Sequence, residues 1–257
     1  MIRKTALGSI VGALALVSAV AVSAQTADEI IEKNIQAKGG REKLKAVQTL
    51  RMTGKMEVGP GVQAPVTIEM KRPDKSRIEF IVQGMTGVQA VDGNSGWMVM
   101  PFMGKTEPEA MAADDLKDIK EQADFEGPLF DYKTKGNQVE LLGKVDVEGT
   151  PAWKLKVTQK DGDITYFYLD ADAYLEIRTE GKRTKRGQEL DLETTSGDYK
   201  TVDGLVFPFS ITVKPKGAPA GQTLTITKIE VNPSVDDSRF AMPKKAAEKK
   251  EGAPKPQ

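Results

Sequence analysis

The apolar residues near the start of the chain recur at the spacing of an α-helix. Within residues 26–40, Ile30 and Ile35 fall on one helical face, and Thr26 followed by Glu29 is a capping-box pattern that marks a helix N-terminus. The same periodicity predicts two further helices, over residues 41–48 and residues 111–124. Two predicted helices therefore precede residue 49, and the third lies near the middle of the chain.

Most of the remaining chain alternates apolar and polar residues, which is typical of β-strands with one buried face. In residues 49–58, Leu50, Met52 and Met56 share one face and charged residues occupy the other. Comparable runs continue to residue 231, joined by short turns rich in Gly, Asp and Asn. The pattern predicts one antiparallel sheet of about ten or eleven strands. A twisted sheet of that size curls, and the predicted helices are the candidates to cover its concave face.

One strand breaks the alternation. In the stretch "GWMVMPF", Trp97 and Val99 point to one face of a strand, and Met98 and Met100 point to the other. Both faces are apolar, so both must be covered. We expect one face to meet a helix layer or a cavity, and the other to meet neighbouring side chains.

Residues 1–24 have the pattern of a secretory signal peptide. Arg3 and Lys4 precede an apolar run that ends in small residues at Ala24. An uncleaved membrane anchor is the alternative, which the shortness of the apolar run disfavours. We expect cleavage after Ala24 and a mature protein exported to the periplasm.

The C-terminal residues 242–257 are polar, rich in Lys and contain Pro, which predicts a disordered tail. Residues 25–241 then remain as a single domain.

Composition excludes several classes of function. The chain has 37 basic and 37 acidic residues, which gives no electrostatic reason to expect a nucleic-acid partner. It has no Cys and no His, so it lacks disulfides, Ser-His-Asp and Cys-His catalytic groups, and the usual zinc and copper ligands. We expect no cofactor, no metal site and no catalytic residue, and therefore a protein that is not an enzyme.

Paired carboxylates are the strongest argument for a hydrolase. The candidate pairs for acid–base chemistry or for Ca²⁺ are Asp161 with Asp163, Asp170 with Asp172, and Asp236 with Asp237. They lie in turn-like segments between strand-like runs, where Asp is favoured because its side chain bonds to nearby backbone N–H groups. We therefore interpret them as turn residues.

A set of short motifs resembles one known family. Lys71-Arg72-Pro73 at a strand end, followed by Asp92-Gly93, Trp97 and Pro101, is similar in order and spacing to the LolA-like periplasmic carriers that sort outer-membrane lipoproteins. The later run "DGLVFPFSI" resembles a more generic lipoprotein-sorting subgroup. The resemblance implies an α+β fold: an incomplete, strongly curved antiparallel β-barrel with an α-helical lid over its concave face. It also implies an apolar cavity that holds acyl chains.

The resemblance and the methionine content together nominate site residues. Thioether side chains are flexible and suit surfaces that accept varied apolar ligands. The candidate cavity residues are Met52, Met56, Met70, Phe80, Trp97, Met98, Val99 and Met100. In the family, an arginine at the place of Arg72 hydrogen-bonds the lid, so the resemblance implies that Arg72 is a lid latch.

The sequence thus predicts a periplasmic carrier or binding protein for lipid-modified cargo, namely lipoprotein acyl chains or lipid. Inner- and outer-membrane envelope proteins are further candidate partners, and we expect a monomer. One alternative is a non-enzymatic envelope interaction protein whose barrel is filled by its own side chains. A weaker alternative is a carboxylate-dependent hydrolase.

Overall fold

The computed structural model of the protein describes residues 25–59, 61–185 and 188–243. The predicted signal peptide, 1–24, and residues 244–257 of the predicted tail lie outside these ranges. Three α-helices lie within these ranges: α1 (Ala27–Ala37), α2 (Arg41–Ala46) and α3 (Ala113–Ala123). The capping box predicted for α1 is confirmed, because the Glu29 N–H donates to Thr26 Oγ1 at 3.2 Å and the Thr26 N–H donates to Glu29 Oε2 at 2.9 Å.

Thirteen strands form one antiparallel sheet in the described parts of the chain. They are β1 (Thr49–Gly59), β2 (Val62–Lys71), β3 (Lys75–Val82), β4 (Met85–Asp92), β5 (Ser95–Met100), β6 (Lys105–Ala110), β7 (Gln138–Val147), β8 (Thr150–Thr158), β9 (Ile164–Asp170), β10 (Glu176–Lys185), β11 (Gln188–Val202), β12 (Leu205–Pro215) and β13 (Gln222–Val231). The expectation of ten or eleven strands was too low. The sequence did not predict β6 as a strand, since its residues "KTEPEA" are polar and include a proline.

The order of the strands shows how the sheet is built. It runs β6-β5-β4-β3-β2-β1-β13-β12-β11-β10-β9-β8-β7. Neighbours in the chain are neighbours in the sheet within each of two arms, and the pairing of β1 with β13 joins the arms. Because the order ends at β6 and at β7, the sheet is open rather than a closed barrel.

The sheet curves around the first two helices. Ile30 and Ile35 of α1 are buried in one core cluster with Met70 of β2 and with Leu155 and Leu169 of the opposite arm. Strands so far apart in the sheet order can share a cluster only when the sheet bends towards itself. The described structure is therefore a curved, open antiparallel sheet with helices on its concave face.

Residues 232–240, near the C-terminal end of the described chain, pack against the outer face of β1, β2, β3 and β5. Phe240 is fully buried there, and its carbonyl oxygen accepts a hydrogen bond of 2.8 Å from Trp97 Nε1. Arg77 Nη1 donates to the carbonyl oxygen of Arg239 at 2.7 Å. This packing explains why the strand that contains Trp97 is apolar on both faces.

The helices are short. Across residues 25–59, 61–185 and 188–243, none has the length and apolar character needed to cross a membrane.

Candidate functional site

A cavity of about 520 Å³ lies on the concave face, between the two arms of the sheet and α3. Its lining is mainly apolar and includes Met52, Met56, Ile68, Met70, Ile211 and Leu224. These side chains point inward because alternate residues of β1, β2, β12 and β13 face the same side of the sheet. The strands at the junction of the two arms thus form one apolar wall.

A bulge bends this wall. The register between β1 and β13 shifts between Thr53 and Gly54, and such irregularities increase local bending and twist. A Cβ atom at Gly54 would lie 2.2 Å from the carbonyl oxygen of Thr225. Only glycine lets the two strands approach so closely, and the bulge lies between Met52 and Met56 on the cavity wall.

The structure brings together three of the sequence-predicted cavity residues. Met52, Met56 and Met70 all line the apolar cavity. Phe80 occupies the same face of β3 as the lining residue Ile78, but its ring packs against Phe102 with 5.6 Å between centroids. Phe80 is therefore on the cavity side of the sheet but outside the cavity lining.

The candidates on β5 divide between the two faces of the sheet. Trp97 and Val99 pack with Val88 and Ala90 on the outer face, opposite the cavity. Met98 lies, like Gly96, on the side of β5 that meets α3. Met100 is buried where β5 gives way to a short 3₁₀ helix. Since both faces of β5 are apolar, alternation alone could not tell which face is inward.

Sequence reasoning missed the second half of the cavity. Ile211, Leu224 and Ile226 come from the C-terminal strands, and Asp118 and Gln122 come from α3. The alternation of β12 and β13 does put the three apolar residues on one face. The missing information was the pairing of β13 with β1, which places Leu224 opposite Met56 and Ile226 opposite Gly54.

Arg72 joins three segments next to the cavity. Its Nε donates to the carbonyl oxygen of Val47 at 2.7 Å, and Nη2 donates to that of Leu44 at 3.3 Å. Nη2 also lies 2.7 Å from Glu126 Oε1, and the guanidinium stacks 4.7 Å from the ring centroid of Phe125. The end of β2 is thereby bonded to the end of α2 and to the segment that follows α3.

Helix α3 bridges the concave face. Lys117 Nζ lies 2.6 Å from Asp161 Oδ2 and 2.6 Å from Asp163 Oδ2, both in the turn between β8 and β9. Lys120 Nζ donates to Asn94 Oδ1 in the turn between β4 and β5 at 2.7 Å. The hydrogen bonds to the two carboxylates raise the pKa of Lys117, and the bond from Lys117 lowers the pKa of Asp161. Helix α3 is thus tied to a turn in each arm of the sheet.

A charged opening of about 600 Å³ adjoins the apolar cavity and shares Asp118, Gly181 and Leu192 with it. Ion pairs surround this opening: Lys182 with Glu189 at 2.8 Å and Lys216 with Glu180 at 2.8 Å. The apolar cavity therefore meets water through a polar, charged rim between α3 and strands β9–β11.

The paired carboxylates serve turns, as predicted. Asp161 Oδ1 accepts the N–H of Asp163, and Asp170 Oδ1 accepts the N–H groups of Asp172 and Ala173. Asp236 Oδ1 likewise accepts the N–H of Ser238.

Within the part of the chain that the structure describes, one group of acidic residues has the spacing of metal ligands. Glu121, Asp161 and Asp163 bring carboxylate oxygens within 4.8 Å of one another. The Lys117 ammonium already neutralises two of these carboxylates at 2.6 Å. The group therefore has a structural explanation as the attachment of α3.

Comparison with solved structures identifies the fold. A LolA superfamily protein from Nitrosomonas europaea matches with a TM-score of 0.56 at 14% identity, over 85% of this chain and 98% of that one. An outer membrane lipoprotein-sorting protein domain from Vibrio parahaemolyticus matches with a TM-score of 0.55 at 12% identity, over 83% and 97%. A DUF1329 family protein from Desulfovibrio piger matches with a TM-score of 0.58 at 13% identity, over 85% and 98%.

No protein-family model matches the chain, and no curated protein matches it. The likeness to solved structures extends over more than four fifths of the chain at low identity, so it concerns the fold. The resemblance inferred from the sequence motifs is confirmed at that level, and the chain has a LolA-like fold.

Proposed function

We propose that the protein is a non-enzymatic periplasmic carrier or binding protein that holds the acyl chains of a lipoprotein or lipid in the cavity on its concave face. The observation that carries this proposal is the cavity itself. It is about 520 Å³ in volume, its wall contains Met52, Met56 and Met70, and α3 lies across it. Cavities with apolar walls and few polar groups are the usual sites for apolar ligands.

Burial of hydrocarbon supplies the binding energy. Each methylene group that leaves water contributes roughly 0.8 kcal/mol, so about ten of them contribute on the order of 8 kcal/mol before the costs of association. The methionine side chains can adjust to chains of different shape.

The proposed location rests on residues 1–24, which have the charge and apolar pattern of a signal peptide. The similarity in fold to an outer membrane lipoprotein-sorting protein domain supports the same class of cargo. Envelope proteins that deliver or accept such cargo are the partners that this function requires, and a monomer suffices for it.

A pair of adjacent residues tests the proposal. Met52 lines the cavity, and Thr53, the next residue of β1, is exposed on the opposite face. Met52→Asp should weaken binding of a hexadecanoyl lipopeptide by roughly tenfold or more, because it places an unpaired charge beside the acyl chain. Thr53→Asp should leave binding unchanged. Lipid that co-purifies with the wild type, detected by native mass spectrometry, should be depleted only in the Met52→Asp variant.

The alternative of an envelope interaction protein makes the opposite prediction. Much of the concave face is filled by side chains such as Ile30, Ile35 and Leu155, which are buried in the core cluster beside the cavity. If the wild type binds no acyl ligand and carries no lipid, the remaining space is too small for cargo. An interaction protein would then be the better explanation.

A further inference from the structure

Ser76 is a buried polar residue in the wall of the apolar cavity. It lies on β3, paired with Met70 of β2 and Val91 of β4, and it lines the cavity together with Ile78. Its exposed fraction is 0%, and its Oγ has no hydrogen-bond partner in the part of the chain that the structure describes. The hydroxyl group thus lies within the cavity wall at the Met70 end, and a ligand reaches it only when neighbouring side chains, such as the flexible one of Met70, move aside.

A buried hydroxyl without a partner is unfavourable for folding. Native proteins satisfy most buried side-chain polar atoms, and an unsatisfied one loses its hydrogen bonds to water without replacement. Alanine would fit the same position on β3 without this cost. The Ser76 hydroxyl makes no hydrogen bond within the described chain and so does not stabilise the fold. Its presence therefore suggests a hydrogen-bond partner outside the chain, namely a bound ligand.

We propose that Ser76 is the polar anchor of the cavity: its hydroxyl donates a hydrogen bond to the carbonyl oxygen of an ester- or amide-linked acyl chain. This inference rests on the proposed function and names the class of cargo. Ser76 selects acyl chains that carry a carbonyl oxygen over plain hydrocarbon chains of the same length.

The position of Ser76 along the wall is compatible with this role. Met70 is opposite Leu50, and Met56 lies six residues further along β1, a distance on the order of 20 Å at the rise of a β-strand. A chain whose carbonyl group lies at Ser76 has the apolar residues Met52 and Met56 ahead of it along the wall. The buried hydroxyl of Ser76 and the apolar surface thus match the two parts of an acyl group.

The test compares the binding of three ligands to the wild type and to the Ser76→Ala variant. Methyl hexadecanoate, N-methyl hexadecanamide and hexadecane would each displace 8-anilinonaphthalene sulfonate from the delipidated protein. The substitution should weaken binding of the ester, the amide or both by roughly two- to tenfold, the effect of one neutral hydrogen bond. Binding of hexadecane should be unchanged. A loss confined to the ester or to the amide identifies the linkage that Ser76 recognises.

Stability separates this role from a structural one. Since the Ser76 hydroxyl has no partner in the folded chain, Ser76→Ala should leave the urea midpoint of the delipidated protein unchanged or raise it. The matched control is Ser210→Ala. Ser210 lies on the outer face of β12, between the core residues Phe209 and Ile211, and its substitution should not alter binding of any ligand.

Three results overturn the inference. Equal weakening of all three ligands with a lower urea midpoint would make Ser76 a packing residue. Unchanged binding of both carbonyl ligands would remove it as an anchor, while the carrier function would stand. If the wild type binds none of the three ligands, the proposed function fails and the inference fails with it.

Discussion

Arg72 Nε donates a hydrogen bond of 2.7 Å to the carbonyl oxygen of Val47, the residue that caps α2. The same guanidinium pairs with the Glu126 carboxylate, which is only 10% exposed. One side chain at the end of β2 therefore bonds to the backbone at the end of α2 and to a nearly buried charge beyond α3. This geometry supports the proposal that Arg72 is a latch. The hydrogen bonds to α2 and the ion pair with Glu126 can be tested independently.

Arg72→Leu should lower the free energy of unfolding by roughly 2–4 kcal/mol, because it leaves the Glu126 carboxylate without its partner. Adding Glu126→Gln should recover part of this loss, since no unpaired charge remains. Bound acyl ligand should dissociate faster than from the wild type in both variants, because both lack the bonds to α2. Urea denaturation and stopped-flow ligand release measure the two effects. A double variant with wild-type stability and wild-type release would show that Arg72 is no latch.

The ion pairs of Lys117 should hold α3 in place. Lys117→Met removes both contacts to the turn between β8 and β9, so the backbone amides of α3 should exchange with deuterium faster and ligand release should accelerate roughly two- to fivefold. Lys133→Met is the matched control, because Lys133 pairs with Asp28 in an exposed position away from α3. Equal effects of the two substitutions would contradict a specific role for Lys117.

The ion pair that joins Lys117 of α3 to Asp161 should weaken at acidic pH. The hydrogen bond from Lys117 holds the pKa of Asp161 below its ordinary value of 3.8. A carboxylate with a lowered pKa in the folded state stabilises the fold above its unfolded pKa, and this stabilisation is lost as the pH falls through the folded pKa. Deuterium exchange of α3 should therefore be constant between pH 5 and pH 8, after correction for intrinsic rates, and should rise below pH 4.

Asp161→Asn provides the control for this acid effect. The substitution removes the titrating group and weakens the bond to Lys117 at every pH. The variant should show faster exchange of α3 at neutral pH and a smaller additional rise below pH 4. An acid response as large as that of the wild type would assign the effect to other carboxylates.

Local signals in the sequence predicted much of the fold. The capping box at Thr26 and Glu29 and the alternation along β1 are patterns of near neighbours, and the structure has both features. Strand β6 was not predicted, because its polar residues show no strand pattern. It is a strand because it pairs with β5. The intrinsic β-propensity of residues predicts an edge strand poorly when pairing with the neighbouring strand determines its conformation.

The site depended on contacts between distant residues, which local patterns do not contain. The alternation of β1 put Met52 and Met56 on one face, but the pairing of β1 with β13 decides what lies beside them. The outer position of Trp97 follows from the C-terminal segment that carries Phe240, 143 residues away. The bond between Lys117 and Asp163 spans 46 residues and has no signature in the sequence near either residue.

Gly96 should control how closely α3 approaches the sheet. A Cβ atom at Gly96 would lie 2.8 Å from Leu116 Cδ1 and 2.9 Å from Met111 Sδ, so Gly96→Ala must displace side chains at the start of α3. We expect it to lower the free energy of unfolding by roughly 1 kcal/mol, the lower end of the usual cost of overpacking, because both contacts are with the ends of flexible side chains. Gly197→Ala is the control, because a Cβ atom there meets no atom within 4 Å.

Leu116→Ala should relieve the effect of Gly96→Ala, because it removes the methyl groups that the new side chain would contact. The double variant should be more stable than the sum of the two single effects by roughly 1 kcal/mol, which a double-mutant cycle in urea measures. Ligand release should be fast in the Gly96→Ala variant and slower again in the double variant. Additive stabilities, within about 0.5 kcal/mol, would show that residue 96 does not contact α3. In that case the helix would be positioned by its charged attachments at Lys117 and Lys120 rather than by packing on β5.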